Sequence, residues 1–161
     1  MDNLTNEERA YLAGLIDGEG CIYIALAKKP KRGTCYHRLS VIITQANKTY
    51  LEYWRNKTDL GRVYRSRKDI YQWHCTDRSA EKLLGLIYDY LILKKDQADV
   101  ALEFRKTSGQ QHNGRHRMSD QLFKRRDELK NKLSALKQHG EFVSLEEPIN
   151  HDSCFDQIRL F

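Results

Sequence analysis

The chain has 161 residues, 40% of them hydrophobic and 31% charged, and its 28 Lys+Arg outnumber its 22 Asp+Glu for a formal net charge of +6. That length favours one domain of ordinary size, and the composition supplies a core while excluding collagen-like, low-complexity and disordered classes. No apolar run approaches the ~18 residues that span a bilayer.

The opening MDNLTNEERA has neither a basic n-region nor an apolar h-region, so no secretory signal is expected. Cys21, Cys35, Cys75 and Cys154 are scattered without a CxxC pair, which points to a reduced, intracellular protein with no membrane partner. The charge is uneven. Residues 141–161 carry a net −4, whereas residues 21–76 carry about +9. A basic segment of that density suits a polyanion, nucleic acid first. We therefore divide the chain into one domain over 1–140 and an acidic tail over 141–161.

In chain order, Thr5 and Glu8 have capping-box spacing and open an apolar-periodic run that predicts a helix over 6–17, ended by Gly18-Glu19-Gly20. The period then switches to two. Ile22, Ile24 and Leu26 share one face of a strand, and Tyr23, Ala25, Ala27 and Lys29 the other. After a loop with Pro30 and Gly33, a second strand sets Leu39, Val41 and Ile43 against Tyr36, Arg38, Ser40, Ile42 and Thr44. A short helix is expected over 47–58, closed by Leu60-Gly61. Two further strands follow. In 62–68, Arg62, Tyr64, Ser66 and Lys68 share a parity; in 70–76, Ile70, Gln72 and His74 look outward while Tyr71, Trp73 and Cys75 look inward.

Asp77 is the expected N-cap of a helix carrying Leu83, Leu84, Leu86, Ile87, Tyr90 and Leu91. A further helix spans about 95–104, a polar loop 107–117, and Ser119 starts a charged helix ending near Gly140. The predicted class is α+β, with an αββαββα core, a four-stranded antiparallel sheet and C-terminal helices. One sheet face is aliphatic and suits a helix layer; the other bears Tyr, Arg, Lys, Ser, Gln and His, the groups that read base edges and phosphates in a major groove. Ten residues at ~3.4 Å each would follow roughly nine or ten base pairs.

Ala10, Gly14 and Gly18 recur every fourth residue and give the first helix an almost bare face, fit for close approach by the same helix of a second subunit. Ala13 and Asp17 are read into that dimer interface as well. Asp17 and Glu19 fall at the helix C-terminal end, where the macrodipole disfavours negative charge, so carboxylates there are read as serving a cation. Hard oxygen ligands suit Mg²⁺.

Leu12–Gly20, LAGLIDGEG, closely resembles the signature of the LAGLIDADG homing endonucleases, departing in Gly18 for Ala and Glu19 for Asp. The αββαββα order over 5–105 resembles that family's core. One motif in a chain this short resembles the homodimeric branch. The resemblance implies a metal-dependent, site-specific double-strand DNA endonuclease acting on a long pseudo-palindromic site, with intron RNA as a further partner and a maturase or a non-cleaving DNA-binding regulator as alternatives. It implies Glu19 as the metal carboxylate, the Gly18 carbonyl beside it, and Asp17 as an accessory group. Gln45 or Asn47 would be the active-site amide. Lys94, in Leu93-Lys-Lys-Asp-Gln-Ala98, would polarise the scissile phosphate, and Lys48 is the nearest candidate for a further basic group. Mg²⁺ is the implied cofactor, with Mn²⁺ expected to substitute and Ca²⁺ to support binding without cleavage.

Other signals are read as structural. His112 and His116 have i,i+4 spacing in a polar loop without another ligand. His37 and His74 are taken to share the DNA-facing parity, Trp54 and Trp73 to belong to the core, and the Lys124–Lys137 run to be a solvated helix face.

Overall fold

The computed structural model describes residues 4–28, 35–110 and 118–137. Lys29, His112, His116, Cys154 and the acidic tail lie outside them. The described elements are α1 (Asn6–Glu19), β1 (Gly20–Lys28), β2 (Cys35–Gln45), α2 (Lys48–Thr58), β3 (Arg62–Arg67), β4 (Ile70–Thr76), α3 (Arg78–Ile87), α4 (Lys95–Lys106) and α5 (Asp120–Ala135). This is the expected α+β order. Among the described residues no helix is long and apolar enough to cross a membrane.

The capping box forms as read. Thr5 Oγ1 accepts from the Glu8 N–H at 3.3 Å, and Glu8 Oε2 accepts from the Thr5 N–H at 3.0 Å. The helix runs two residues further than its periodicity indicated, because the Gly20 N–H still bonds to Ile16 O. Only glycine fits there: a Cβ on Gly20 would stand 2.6 Å from Ile16 O and 2.8 Å from Ile16 Cα, both main-chain atoms that cannot turn away. Gly20→Ala is therefore expected to cost about 1–3 kcal/mol, the range of overpacking, measurable as a lowered urea midpoint at unchanged m-value.

The sheet is antiparallel in the order β1-β2-β4-β3. Its helix-facing side joins Ile22, Ile24, Leu39, Val41, Ile43, Trp73 and Cys75 to Leu12, Ile16, Leu83, Leu84, Ala101 and Phe104 in one core. Trp54 and Trp73 are core residues as expected, and the Trp73 indole donates to Leu60 O at 2.8 Å.

Several placements differ from the sequence reading. His37 is buried on the helix side, bonded through Nε2 to Asp127 at 3.2 Å, and burial pushes it below its ordinary value. A bulge between Arg65 and Arg67 sets Arg67 opposite Ile70, while Ser66 faces no residue of β4 and Lys68 sits in the turn beside left-handed Asp69. Asp77 has φ 46 and makes no side-chain cap; its carboxylate instead accepts from the Leu39 N–H and from Arg105. After Ile87 the α3 path tightens into a 3₁₀ turn over Tyr88–Tyr90, leaving Leu91 extended. Finally, α5 is no solvated helix: Arg126, Leu129 and Leu133 are buried and the helix packs on α4 and β1.

Candidate active site and nucleic-acid interface

The site is assembled around the C-terminal end of α1. The end of a helix leaves carbonyls without internal partners and a partial negative charge. Here Lys94, 77 residues on, supplies both remedies. Its Nζ donates to Ile16 O at 2.9 Å and, in a very short contact, to Asp17 O. Desolvation pushes the Lys94 ammonium below its usual value; the Asp17 carboxylate opposes that shift, while Lys137 adds to it.

The Asp17 side chain is fully engaged by main chain. Oδ2 accepts from the N–H groups of Ile92 at 2.8 Å and Leu93 at 3.1 Å, and Oδ1 from that of Lys94 at 2.9 Å. Three bonds to one carboxylate pin the 92–94 segment against the helix end. Asp17 is thus a positioning residue here, in keeping with its accessory reading and not with the cation-serving role that the helix dipole suggested for both carboxylates. The Glu19 side chain is exposed and has no hydrogen bond or ion pair among the described residues.

Gly20 pairs with Ile43, so the end of β2 runs directly past Glu19. Gln45 is the last residue of that strand, opposite Tyr71, and has the parity of Ile43 rather than of the open face. Asn47 is committed to capping α2, its Oδ1 accepting from the Tyr50 N–H at 3.0 Å. Lys48 is bound to Glu52 at 3.0 Å, which raises its pKa. The structure also brings in Lys137, which sequence reasoning left on a solvent face. Its Nζ lies 3.3 Å from Cys21 Sγ and 5.4 Å from the Tyr23 ring centroid. Only the packing of α5 on β1 reveals this; no local sequence signal marks it.

Of the small residues on α1, Ala10, Gly14 and Gly18 are exposed, and added Cβ atoms at Gly14 and Gly18 would meet nothing within 4 Å. Ala13 is not on that face: it is fully buried in the chain's own core, a correction to its reading as an interface residue. Large apolar side chains flank the bare stripe, with Tyr11 58%, Ile92 83% and Leu93 76% exposed.

Among the described residues the other sheet face carries the expected polar set except at Ser66 and Lys68. Register lines up Tyr23 with Ser40 and Thr76, Ala25 with Arg38, and Ala27 with Tyr36. Ile42 lies with His74 and Arg62, and Thr44 with Gln72 and Tyr64. Gln72 Nε2 donates to Thr44 Oγ1 at 3.3 Å, and the Tyr64 and His74 rings meet edge to face. Desolvation, then the neighbouring Arg38 charge, lowers the His74 pKa. Arg38 Nε, Ser40 Oγ and His74 Nε2 have no hydrogen-bond partner among the described residues, and Ser40 is fully buried. Such groups are expensive unless something supplies partners. Parity also assigns Cys21 and Thr76 to this face, both absent from the sequence reading.

A divalent cation fits this donor set only as a shared ion. Among the described residues no three His, Cys, Asp or Glu groups converge as a metal site. One exposed carboxylate and the neighbouring Gly18 carbonyl match the sparse protein ligation of Mg²⁺, whose remaining ligands are phosphate oxygens and water.

A model of the LAGLIDADG endonuclease family matches residues 12–106. A comparison with curated proteins returns no match. Among solved structures, the homing endonuclease I-CvuI, in complex with its target in the presence of Ca, aligns with a TM-score of 0.72 at 19% identity over 86% of this chain and 87% of that one. The archaeal intron-encoded homing endonuclease I-Vdi141I, complexed with DNA, aligns at 0.70 and 20% identity over 84% and 87%. I-LtrWI, bound to target DNA, aligns at 0.65 and 22% identity over 80% of this chain but only 45% of its own length. These likenesses establish the fold. With the family match spanning most of the chain, from the LAGLIDGEG motif to the end of α4, the chain belongs to the LAGLIDADG endonuclease family.

Proposed function

We propose that the protein is a site-specific double-strand DNA endonuclease that works as a homodimer with Mg²⁺. The observation carrying this reading is Glu19: an exposed, unpartnered carboxylate at the end of a helix whose Ala10-Gly14-Gly18 face is bare. Two such helices packed along that face bring two Glu19 groups together and cover Tyr11, Ile92 and Leu93. Length supports the pairing, since this chain spans 87% of I-CvuI but 45% of I-LtrWI, about half of the longer enzyme.

In this reading the polar sheet face lies in the major groove, where Arg38, Gln72 and His74 meet base edges and phosphates, while Ser40 stays buried. Glu19 and the Gly18 carbonyl would hold the cation. A bound Mg²⁺ supplies Lewis-acid polarisation of the scissile phosphate and an acidified water. Lys94 sets its positive charge beside the same phosphate while fixing the helix end. Gln45 orients water from the strand end. I-CvuI, solved with Ca and again with Mg and its DNA not cleaved, supports a divalent requirement; Mn²⁺ is expected to replace Mg²⁺.

The test is selection of cleaved duplexes from a pseudo-palindromic library in Mg²⁺, coupled to sedimentation on the recovered site. Cleavage of both strands by a species of twice 19.0 kDa is expected. Tight binding without cleavage in Mg²⁺ or Mn²⁺ would make the protein a DNA-binding regulator, and cleavage by a monomer would remove the helix-pair argument.

A further inference from the structure

A cavity of about 510 Å³ opens near the end of β2 remote from Glu19. On the sheet side it is lined by Tyr36 and Thr76, both with the parity of the nucleic-acid face. Its helical wall holds Arg78 of α3, Arg105 at the end of α4, Ser108 beyond it, and Arg126 of α5. The chain thus places three guanidinium groups at one rim of the sheet from three separate helices.

Their charges are unequally met. Arg105 is bound to Glu81 at 3.0 Å, Asp77 at 3.4 Å and Ser108 at 3.1 Å. Arg126, only 3% exposed, donates to Thr107 Oγ1 at 3.0 Å and Thr107 O at 3.2 Å and lies over the Phe104 ring, all neutral partners. Arg78 is exposed and makes no ion pair among the described residues. Asp77, the carboxylate in the wall, is already engaged by the Leu39 N–H and Arg105. A guanidinium held out of water without a counter-ion is costly, and the planar fork matches phosphate oxygens.

Resting on the DNA-cleavage reading above, we propose that this cavity takes a backbone phosphate of the bound duplex at the outer end of each half-site. Tyr36 stands nine residue steps from Gln45, about 30 Å at ~3.4 Å per residue, which corresponds to roughly nine base pairs out from the scissile region.

The experiment starts from the duplex recovered by selection; failure to recover one counts against the endonuclease reading itself. On that duplex, Arg78→Ala is expected to weaken binding in Ca²⁺ roughly five- to tenfold and to reduce the salt dependence by about one counterion per half-site. Lys82→Ala, an exposed control on the same helix, should leave both unchanged. Neutral methylphosphonate linkages about nine base pairs from the centre should weaken the wild type equally and Arg78→Ala no further. Equal affinity of Arg78→Ala and wild type would overturn the proposal, as would additive losses from the variant and the neutral linkage. A melting shift of the wild type in inorganic phosphate, abolished in Arg78→Ala with duplex affinity intact, would also overturn it by making the cavity a free-anion site.

Discussion

Glu19→Gln is expected to lower the cleavage rate by on the order of 10²–10³-fold while the variant still binds its selected duplex in Ca²⁺. The substitution preserves shape and removes only the charge. Within the described residues that charge makes no hydrogen bond or ion pair and only weakly favours the Lys94 ammonium, and it stands at a helix C-terminus where a negative group is disfavoured. Glu19→Gln should therefore melt no lower than the wild type. In the proposed reaction the same charge holds the cation that stabilises the developing negative charge, and loss of one preorganised electrostatic contribution typically costs 10²–10³ in rate. Both strands should be affected, since each copy contributes one Glu19. Single-turnover cleavage in Mg²⁺ beside thermal melting separates the outcomes. Cleavage within tenfold of the wild type, or a variant that melts well below it, would remove Glu19 from the metal-binding role.

This separation of stability from activity follows from how the molecule was legible. Features set by neighbours in sequence could be read directly. The Thr5–Glu8 box, the switch to period two at Cys21 and the bare Ala10-Gly14-Gly18 stripe are local, and the αββαββα order followed from them. The errors fall where a distant partner decides. His37 is an exception, since it shares the parity of Leu39 and Val41 and the alternation itself put it on the core face; only its partner Asp127, 90 residues away, was hidden. Asp77 reads as a cap but is drawn away by Arg105 and the Leu39 N–H. Parity held along β3 until the bulge after Arg65 consumed one residue. At the site itself, the motif resemblance named Glu19 for the metal and Asp17 as accessory, but it could not show what occupies the Asp17 carboxylate. That required the path of residues 92–94, which returns to the end of α1 only in the folded chain.

The counterpart to Glu19→Gln is Asp17→Asn, for which the opposite signature is expected. An amide has one acceptor oxygen where the carboxylate uses two. If it keeps the Ile92 and Leu93 N–H groups, its NH₂ faces the Lys94 N–H, donor against donor; reversing the amide strands the other two. The charge that offsets the poorly solvated Lys94 ammonium disappears as well. Orphaned donors cost about 1–3 kcal/mol each when buried, and this group is half-buried, so a loss of about 2–3 kcal/mol is expected. For a domain of this size that lowers Tm by roughly 5–10 °C. Cleavage should fall too, through the displacement of Lys94, in proportion to the loosened 92–94 segment. Lys94→Met should be less than additive with Asp17→Asn in stability, because both unmake one interlocked unit. Melting curves of the two single variants and the double variant decide it. An Asp17→Asn protein that melts within about 2 °C of the wild type, or strict additivity with Lys94→Met, would show that the Asp17 carboxylate does not pin the helix end.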